Sequence, residues 1–133
     1  IAFQSVFPSF RGGISKFSDH LYKNLTRSVQ VRAYNYTKLY PPILFPGKTQ
    51  YLDQQSDNYA LPVLHAYNPL NWNAVGADMI SEDTRAYIYS HWHPFFSFSQ
   101  ISILKEIKNC YPNVVTADII NNVLPPERFP MKN

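Results

Sequence analysis

The sequence of 133 residues contains one cysteine, Cys110. A single thiol cannot form an intrachain disulfide and supplies no cysteine cluster for a metal ion. This composition fits a reducing compartment, so we expect a cytoplasmic protein. No apolar run approaches the roughly 20 residues that a membrane-spanning helix needs. The residues given contain no signal-peptide pattern.

The sequence also lacks a run of basic residues. Its net charge is +3, and its lysines and arginines are scattered along the chain. Nucleic-acid binding therefore receives no support, while a weak attraction to anionic lipid headgroups or to phosphate-bearing ligands stays open. Hydrophobic residues make up 45% of the chain, which is typical of one globular domain with a core.

Strand and helix patterns alternate along the chain. We predict strands over 1–6, 29–34, 60–66, 85–89 and 114–120, and helices over 14–25, 69–82 and 97–109. The first helix has an apolar stripe of Ile14, Phe17, Leu21 and Leu25, and the third packs Phe98, Ile101, Leu104 and Ile107 inward. Residues 35–67 are rich in proline. We interpret them as an irregular excursion with a short edge strand, the alternative being a loop that contacts an acceptor or a membrane.

The order of elements predicts an α/β class with a Rossmann-like, doubly wound parallel sheet. Ligands of such sheets bind beyond the carboxyl ends of the strands. Residues 7–13, 91–96 and 121–127 each follow a predicted strand. We therefore expect these three segments to meet at one edge of the sheet and to line a single cleft.

Gly12 and Gly13 lie between the first strand and the first helix. Glycine lets a ligand approach the backbone, and the start of a helix attracts anions, so this turn suits a phosphate. It completes neither a dinucleotide fingerprint nor a P-loop, and an ordinary tight connection is the alternative. Arg11 beside it either pairs with a phosphate or is an exposed loop arginine.

His91 and His93 flank Trp92 after the fourth strand. Alternate residues of an extended segment share a face, so both imidazoles can contact a sugar hydroxyl or phosphate, or simply cap the strand end. A third ligand for zinc is not evident, and we predict no metal site. We interpret Asp118 as a residue near the strand edge rather than a catalytic one.

The remaining candidate residues give weaker indications of function. Ser5, Ser90 and Ser97 lack a nucleophile-elbow pattern, so a hydrolase is not supported. Glu127 follows two prolines in a loop. It either contacts a sugar hydroxyl or is a solvent-facing charge, and we favour the second.

Several segments are similar to family-4-type glycosyltransferases of bacteria, in the same order along the chain. Residues 7–14, Phe-Pro-Ser-Phe-Arg-Gly-Gly-Ile, resemble the family's first strand-to-helix turn. Residues 90–96, Ser-His-Trp-His-Pro-Phe-Phe, resemble its His/Trp-rich loop, and residues 121–127, Asn-Asn-Val-Leu-Pro-Pro-Glu, resemble its His/Asp-Asn-Val-x-Pro segment. Residues 44–47 and 68–72 also agree. Asn121 stands where relatives often carry His or Asp, and Pro126 where close relatives carry His.

The resemblance implies the N-terminal, acceptor-side domain of a retaining GT-B enzyme in polysaccharide or cell-surface glycan biosynthesis. Such an enzyme transfers a sugar from a nucleotide-sugar donor to a glycan or lipid-linked acceptor, with no tightly bound cofactor. The substrate-binding residues it implies are Arg11, Gly12, Gly13, His91, Trp92, His93, Asn121, Asn122 and Glu127. No residue receives a catalytic role.

In this family a second, C-terminal domain holds most of the donor, and its Glu-x7-Glu motif is absent here. We therefore expect residues 1–133 to be a fragment that is inactive alone. Peripheral association with the inner face of the membrane and a homodimer through the exposed cleft are further expectations. A non-catalytic α/β module that binds sugar or nucleotide is the alternative. A nucleotide-dependent oxidoreductase is disfavoured by the missing third glycine and by Asn35 at the end of the second strand.

Overall fold

The computed structural model describes residues 1–8, 10, 12–38, 59–92 and 94–121. These residues form five strands and three α-helices, with one 3₁₀ turn, Pro94–Phe96, before the last helix. In chain order the elements are β1 Ala2–Gln4, α1 Gly13–Leu25, β2 Arg32–Lys38, β3 Ala60–His65, α2 Pro69–Ser81, β4 Ala86–His91, α3 Ser97–Cys110 and β5 Val115–Ile120.

The strands form one parallel sheet in the order β3-β2-β1-β4-β5. The shortest strand, β1, is central, and Ala2 pairs with Arg32 of β2 on one side and Tyr87 of β4 on the other. Successive residues of a strand face opposite sides of a sheet. Phe3 accordingly packs with Leu21 and Tyr22 of α1, while the opposite face is covered by α2 and α3. The predicted α/β class with a Rossmann-like sheet is confirmed.

Strand β2 differs from its predicted bounds. It begins at Arg32 rather than at residue 29, and it continues to Lys38 within a stretch predicted to be irregular. Pairing on both sides explains this, because β1 pairs from Arg32 and β3 pairs from Ala33 onward. Of the proline-rich excursion, 39–58 lies outside the described residues.

The apolar stripe predicted for α1 is buried only in part, since Ile14 and Leu21 pack against the core and Leu25 is half-buried. Phe17 is 47% exposed, while Ser15 and Ser18 are buried. The hydroxyls of Ser18 and Ser5, the latter directly after β1, lie 2.6 Å apart. Small side chains let the helix approach the end of the sheet closely, and this hydrogen bond satisfies both buried hydroxyls.

The inward face of α3 was also predicted incorrectly in its first turn. Phe98 is 68% and Ile101 52% exposed, whereas Gln100 and Ile103 are buried. The Gln100 side-chain amide donates to the main-chain oxygen of Ser90 at 2.7 Å. A buried carbonyl at the end of β4 needs a donor, and this requirement turns a polar residue inward.

The core beneath α2 and α3 contains a polar network. The Gln4 amide donates to the Tyr36 hydroxyl at 3.1 Å, and the Tyr87 hydroxyl donates to the Gln4 side-chain oxygen. All three residues are fully buried. The network therefore joins β1 to both neighbouring strands through side chains as well as through the backbone.

We expect the free energy of unfolding to fall as the pH rises from 10 to 12. Burial raises the pKa of Tyr36 to about 12, with the Gln4 hydrogen bond opposing it. Unfolded tyrosine loses its proton near pH 10, so the folded state binds more protons above that value and loses stability. The contribution of Tyr36 is complete below pH 10 and declines by about 1.4 kcal/mol per pH unit until its folded pKa is reached.

Urea unfolding at stepped pH measures this decline. Burial also raises the pKa of Tyr87 well above its usual value, so its contribution steepens the same curve. In a Tyr36→Phe variant the free energy of unfolding should decline less steeply between pH 10 and 12, because the contribution of Tyr36 is removed and that of Tyr87 remains. An unchanged slope in that variant would contradict the assignment.

Candidate functional site

The strand order places a topological switch point between β1 and β4. The chain leaves β1 toward α1 on one face of the sheet and leaves β4 toward α3 on the other face. In open α/β sheets the crevice at such a point, beyond the carboxyl ends of the strands, is where ligands bind. Two of the three predicted segments, 7–13 and 91–96, flank this point, and the third begins after β5.

The turn that follows β1 is held by Phe7 and Asn35. Phe7 is fully buried, and its ring meets that of Phe3 edge to face at a centroid distance of 5.1 Å. The side-chain oxygen of Asn35 accepts from the main-chain N–H of Phe7 at 3.0 Å and from that of Tyr36 at 2.9 Å. A buried amide on β2 thus determines how the chain leaves β1.

The glycine turn has one strained residue and one helical residue. Gly12 has φ 118° and ψ 173°, and Gly13 is the first residue of α1. That combination of angles is essentially reserved for glycine. A Cβ at either position would meet no atom within 4 Å, and both residues are exposed. Among the described residues, none packs where these two side chains would lie, and the first turn of α1 contains no acidic residue.

His91, the last residue of β4, faces α3 and β5. Its Nε2 lies 3.1 Å from the Ser97 hydroxyl, and its Nδ1 lies 3.8 Å from a carboxylate oxygen of Asp118. Its main-chain oxygen accepts from the N–H of Asn121 at 2.8 Å. The imidazole is thus positioned by the strand pairing on one side and by the first residue of α3 on the other.

Trp92 is packed into the protein. Its ring meets Tyr36 edge to face at 5.9 Å and lies 4.4 Å from the Phe96 ring, and it belongs to the partly buried residues around the core. These contacts fix the path of the chain between β4 and α3. Trp92 therefore has a packing role that the sequence interpretation did not include.

The three predicted segments share one edge of the sheet in their described members. Asn121 follows β5 and is hydrogen-bonded to His91, while Gly12 and Gly13 follow β1, with β4 between the two. Arg11, His93, Asn122 and Glu127 lie outside the described residues. The shared edge is confirmed to this extent, and a single cleft lined by all three segments stays a prediction.

A small cavity of about 190 Å³ lies beside His91. Its described walls come from β4, α3 and β5, and neither Gly12 nor Gly13 is among them; they are Tyr89, His91, Ser97, Gln100, Ile101, Leu104 and Asp118. A cavity of about 590 Å³ lies at the opposite edge of the sheet, with Ile1, Arg32, Glu82 and Thr84 in its lining. In the described ranges, no three His, Cys, Asp or Glu side chains are grouped so that they could hold a metal ion.

Sequence reasoning missed three residues of this edge. Asn35 was considered only as the absence of an acidic residue, and its hydrogen bonds to the turn after β1 have no sequence signal. Ser97 was set aside because it lacks a nucleophile-elbow pattern, and Asp118 because it was interpreted as a residue near the strand edge. The β4–β5 register, which pairs Tyr89 with Asp118 and His91 with Ile120, puts Asp118 on the same face as His91. The period of two in β5 puts Asp118 on the same face as Ile120, but only the register of β4 with β5 brings Asp118 beside His91.

The fold and site define the class of this chain as a Rossmann-like α/β domain with a switch-point edge. Comparisons with family models, curated proteins and solved structures found no match. In the part of the chain that the structure describes, no helix is both long and apolar enough to cross a bilayer.

Proposed function

We propose that this chain is the acceptor-side domain of a GT-B glycosyltransferase. Its enzyme would transfer a sugar from a nucleotide-sugar donor to a glycan or lipid-linked acceptor. The observation that carries the proposal is the switch point between β1 and β4, since the glycine turn follows one of these strands and the His91 segment follows the other. The similarity of residues 7–14, 90–96 and 121–127 to family-4-type enzymes supports the same conclusion independently.

The glycine turn is suited to border a diphosphate. The N–H groups in the first turn of a helix have no partners within it, and the helix dipole places partial positive charge there. Gly12 and Gly13 present this helix end without side chains, and Lys16 follows within the same turn. An anionic leaving group would gain preorganised hydrogen-bond donors at this position.

The hydroxyl of Ser90 adds a polar group to the same region. Ser90 is fully buried at the end of β4, and its hydroxyl has no hydrogen-bond partner in the described structure. Its neighbour Tyr89 pairs in register with Gln4, so Ser90 lies beside the exit from β1. A buried hydroxyl without a partner is uncommon, and a bound polar ligand or ordered water would satisfy it.

On the β4–β5 side of the switch point, His91 and Asn121 supply groups that suit sugar hydroxyls. Imidazole and carboxamide side chains each offer a donor and an acceptor, which matches the mixed character of a hydroxyl. Both residues are partly exposed and are hydrogen-bonded to each other through the backbone. In this proposal they contact the acceptor, and the donor nucleotide is held mainly by a second domain.

Amide chemical shifts test where a nucleotide diphosphate binds. We expect UDP or GDP at millimolar concentration to shift the amide signals of Gly12, Gly13 and Ile14 in ¹H–¹⁵N spectra of the chain. The cavity at the opposite edge is the internal control, so Arg32 and Thr84 should stay unchanged. Shifts confined to that cavity, or no shifts at either edge, would contradict the proposal.

Activity assays on residues 1–133 and on a longer product of the same reading frame distinguish a transferase from the alternative binding module. We expect no release of UDP or GDP from nucleotide sugars by residues 1–133 alone, because the donor half of such a site belongs to another domain. Transfer should appear when a longer product of the same reading frame is assayed with the same donors. Binding without turnover by that longer protein would favour a sugar- or nucleotide-binding module.

A further inference from the structure

We propose that Ser97, His91 and Asp118 form a proton relay that makes the Ser97 hydroxyl a nucleophile toward esters with a short apolar acyl group. This activity is separate from the transferase proposal, because it needs neither a nucleotide sugar nor a second domain. It rests on the geometry of three side chains at the mouth of one cavity.

The distances place the three groups in the order that acyl transfer uses. The Ser97 hydroxyl lies 3.1 Å from Nε2 of His91, and the Asp118 carboxylate lies 3.8 Å from Nδ1 on the other side of the ring. With its proton on Nδ1, facing the carboxylate, the imidazole leaves Nε2 free to accept the hydroxyl proton. The carboxylate then stabilises the imidazolium that this transfer creates.

The surrounding fold fixes this geometry. His91 is held by strand pairing with β5, and Asp118 lies two residues before its partner Ile120 on the same face. Ser97 begins α3, and one turn later Gln100 donates to the Ser90 main-chain oxygen at 2.7 Å. This buried hydrogen bond from the Gln100 side-chain amide therefore holds the start of the helix against the end of β4. Preorganisation of this kind is what a nucleophile and its base need.

The cavity indicates the kind of substrate. Its volume of about 190 Å³ is small, and the side chains of Ile101, Leu104 and Tyr89 form its apolar walls. Of these walls, Ile101 is 52% exposed. Outside the cavity lining, Ile120 is paired in register with His91 and is 64% exposed. A short aliphatic acyl chain fits this lining.

The reaction consumes an ester and water. The Ser97 oxygen attacks the carbonyl carbon while its proton moves to Nε2 of His91. When the tetrahedral intermediate collapses, the bond to the alkoxy oxygen breaks, and His91 returns the proton to that oxygen, releasing an alcohol. Water then attacks the acyl-serine with His91 again as base, which releases a carboxylic acid and restores the hydroxyl. The position of Ser97 at the start of α3 favours the transient negative charge.

A fluorophosphonate probe tests the nucleophile directly on the chain of 133 residues. The serine oxygen displaces fluoride from phosphorus, so one covalent adduct should appear by intact mass, and peptide mapping should place it on Ser97. Hydrolysis of p-nitrophenyl butyrate should accompany it. A native chain that forms no adduct, or forms it on another residue, overturns the proposal whatever the variants do.

Variants separate the three roles. Ser97→Ala should abolish the adduct, and His91→Gln should slow labelling by about 100-fold or more. Asp118→Asn should slow labelling by a smaller factor than His91→Gln, since the carboxylate acts through the imidazole from 3.8 Å. Ser102→Ala on the same helix and Asp83→Asn at the far edge of the sheet are matched controls that should label as the native chain does. Circular dichroism spectra confirm folding. A correctly folded His91→Gln chain that labels at the native rate overturns the relay.

Discussion

Replacing Gln4 by methionine should lower the free energy of unfolding by about 2–4 kcal/mol, because buried hydroxyls lose their partner while the side-chain volume is nearly kept. Tyr87 donates to the Gln4 oxygen and Tyr36 accepts from its amide, and all three are fully buried. Small domains have only about 5–15 kcal/mol in total, so the loss is large.

Urea unfolding of the variant measures this loss. The comparison requires that the unfolding free energies of the variant and the native chain depend equally steeply on urea concentration. The control combines Gln4→Met with Tyr36→Phe and Tyr87→Phe, which removes every polar atom of the network. Since apolar replacements leave nothing unsatisfied, this triple variant should recover most of the lost stability. If Gln4→Met alone unfolds like the native chain, the network does not stabilise the centre of the sheet.

Replacing Gly12 by alanine should cost about 1–3 kcal/mol, because alanine rarely adopts φ 118° with ψ 173°. Packing does not contribute, since a Cβ there would meet no atom within 4 Å. The measured loss is therefore the conformational strain of the turn. Thermal or urea unfolding provides the value, and ¹H–¹⁵N spectra show whether the start of α1 has moved.

Gly13→Ala is the matched control, and its expected effect has the opposite sign. Gly13 is the first residue of α1, has no positive φ and has open space where the Cβ would lie. A gain of about 0.4–1 kcal/mol is expected at a site that alanine can adopt. The sequence interpretation treated both glycines of this turn as conformationally permissive, and the structure shows a positive φ at Gly12 but not at Gly13. Equal stability of the two variants would contradict that assignment.

Element types were predictable because the periodic patterns are strong. Helix α2 begins at Pro69 after Asn68, whose side-chain oxygen accepts from the N–H of Leu70 at 3.1 Å, as the Asn-Pro sequence indicates. The order of strands and helices predicted the parallel sheet. Helix faces were less predictable, since Ser18 and Gln100 turn inward to satisfy polar groups at the end of the sheet. The spacing of apolar residues along a helix contains no information about hydrogen-bonding groups elsewhere in the fold.

The candidate edge was predictable, and its chemistry was only partly so. Loops that follow parallel strands must share an edge, which placed Gly12, His91 and Asn121 together. The neighbours of His91 depend on the register of β4 with β5, which no pattern in either strand specifies. For that reason Ser97 and Asp118 emerged only from the structure.

The central position of β1 has a consequence for synthesis and folding. The pairing partner β4 lies far from β1 in sequence, and Gln4 contacts Tyr87 across 83 residues. Parallel sheets with distant partners fold slowly, because long loops must close before their contacts form. At a translation rate of about 5–20 residues per second, several seconds pass between the synthesis of β1 and the emergence of β4 from the ribosome. During that time β1 has no β4 with which to pair. We expect the nascent chain to depend on chaperones during that interval.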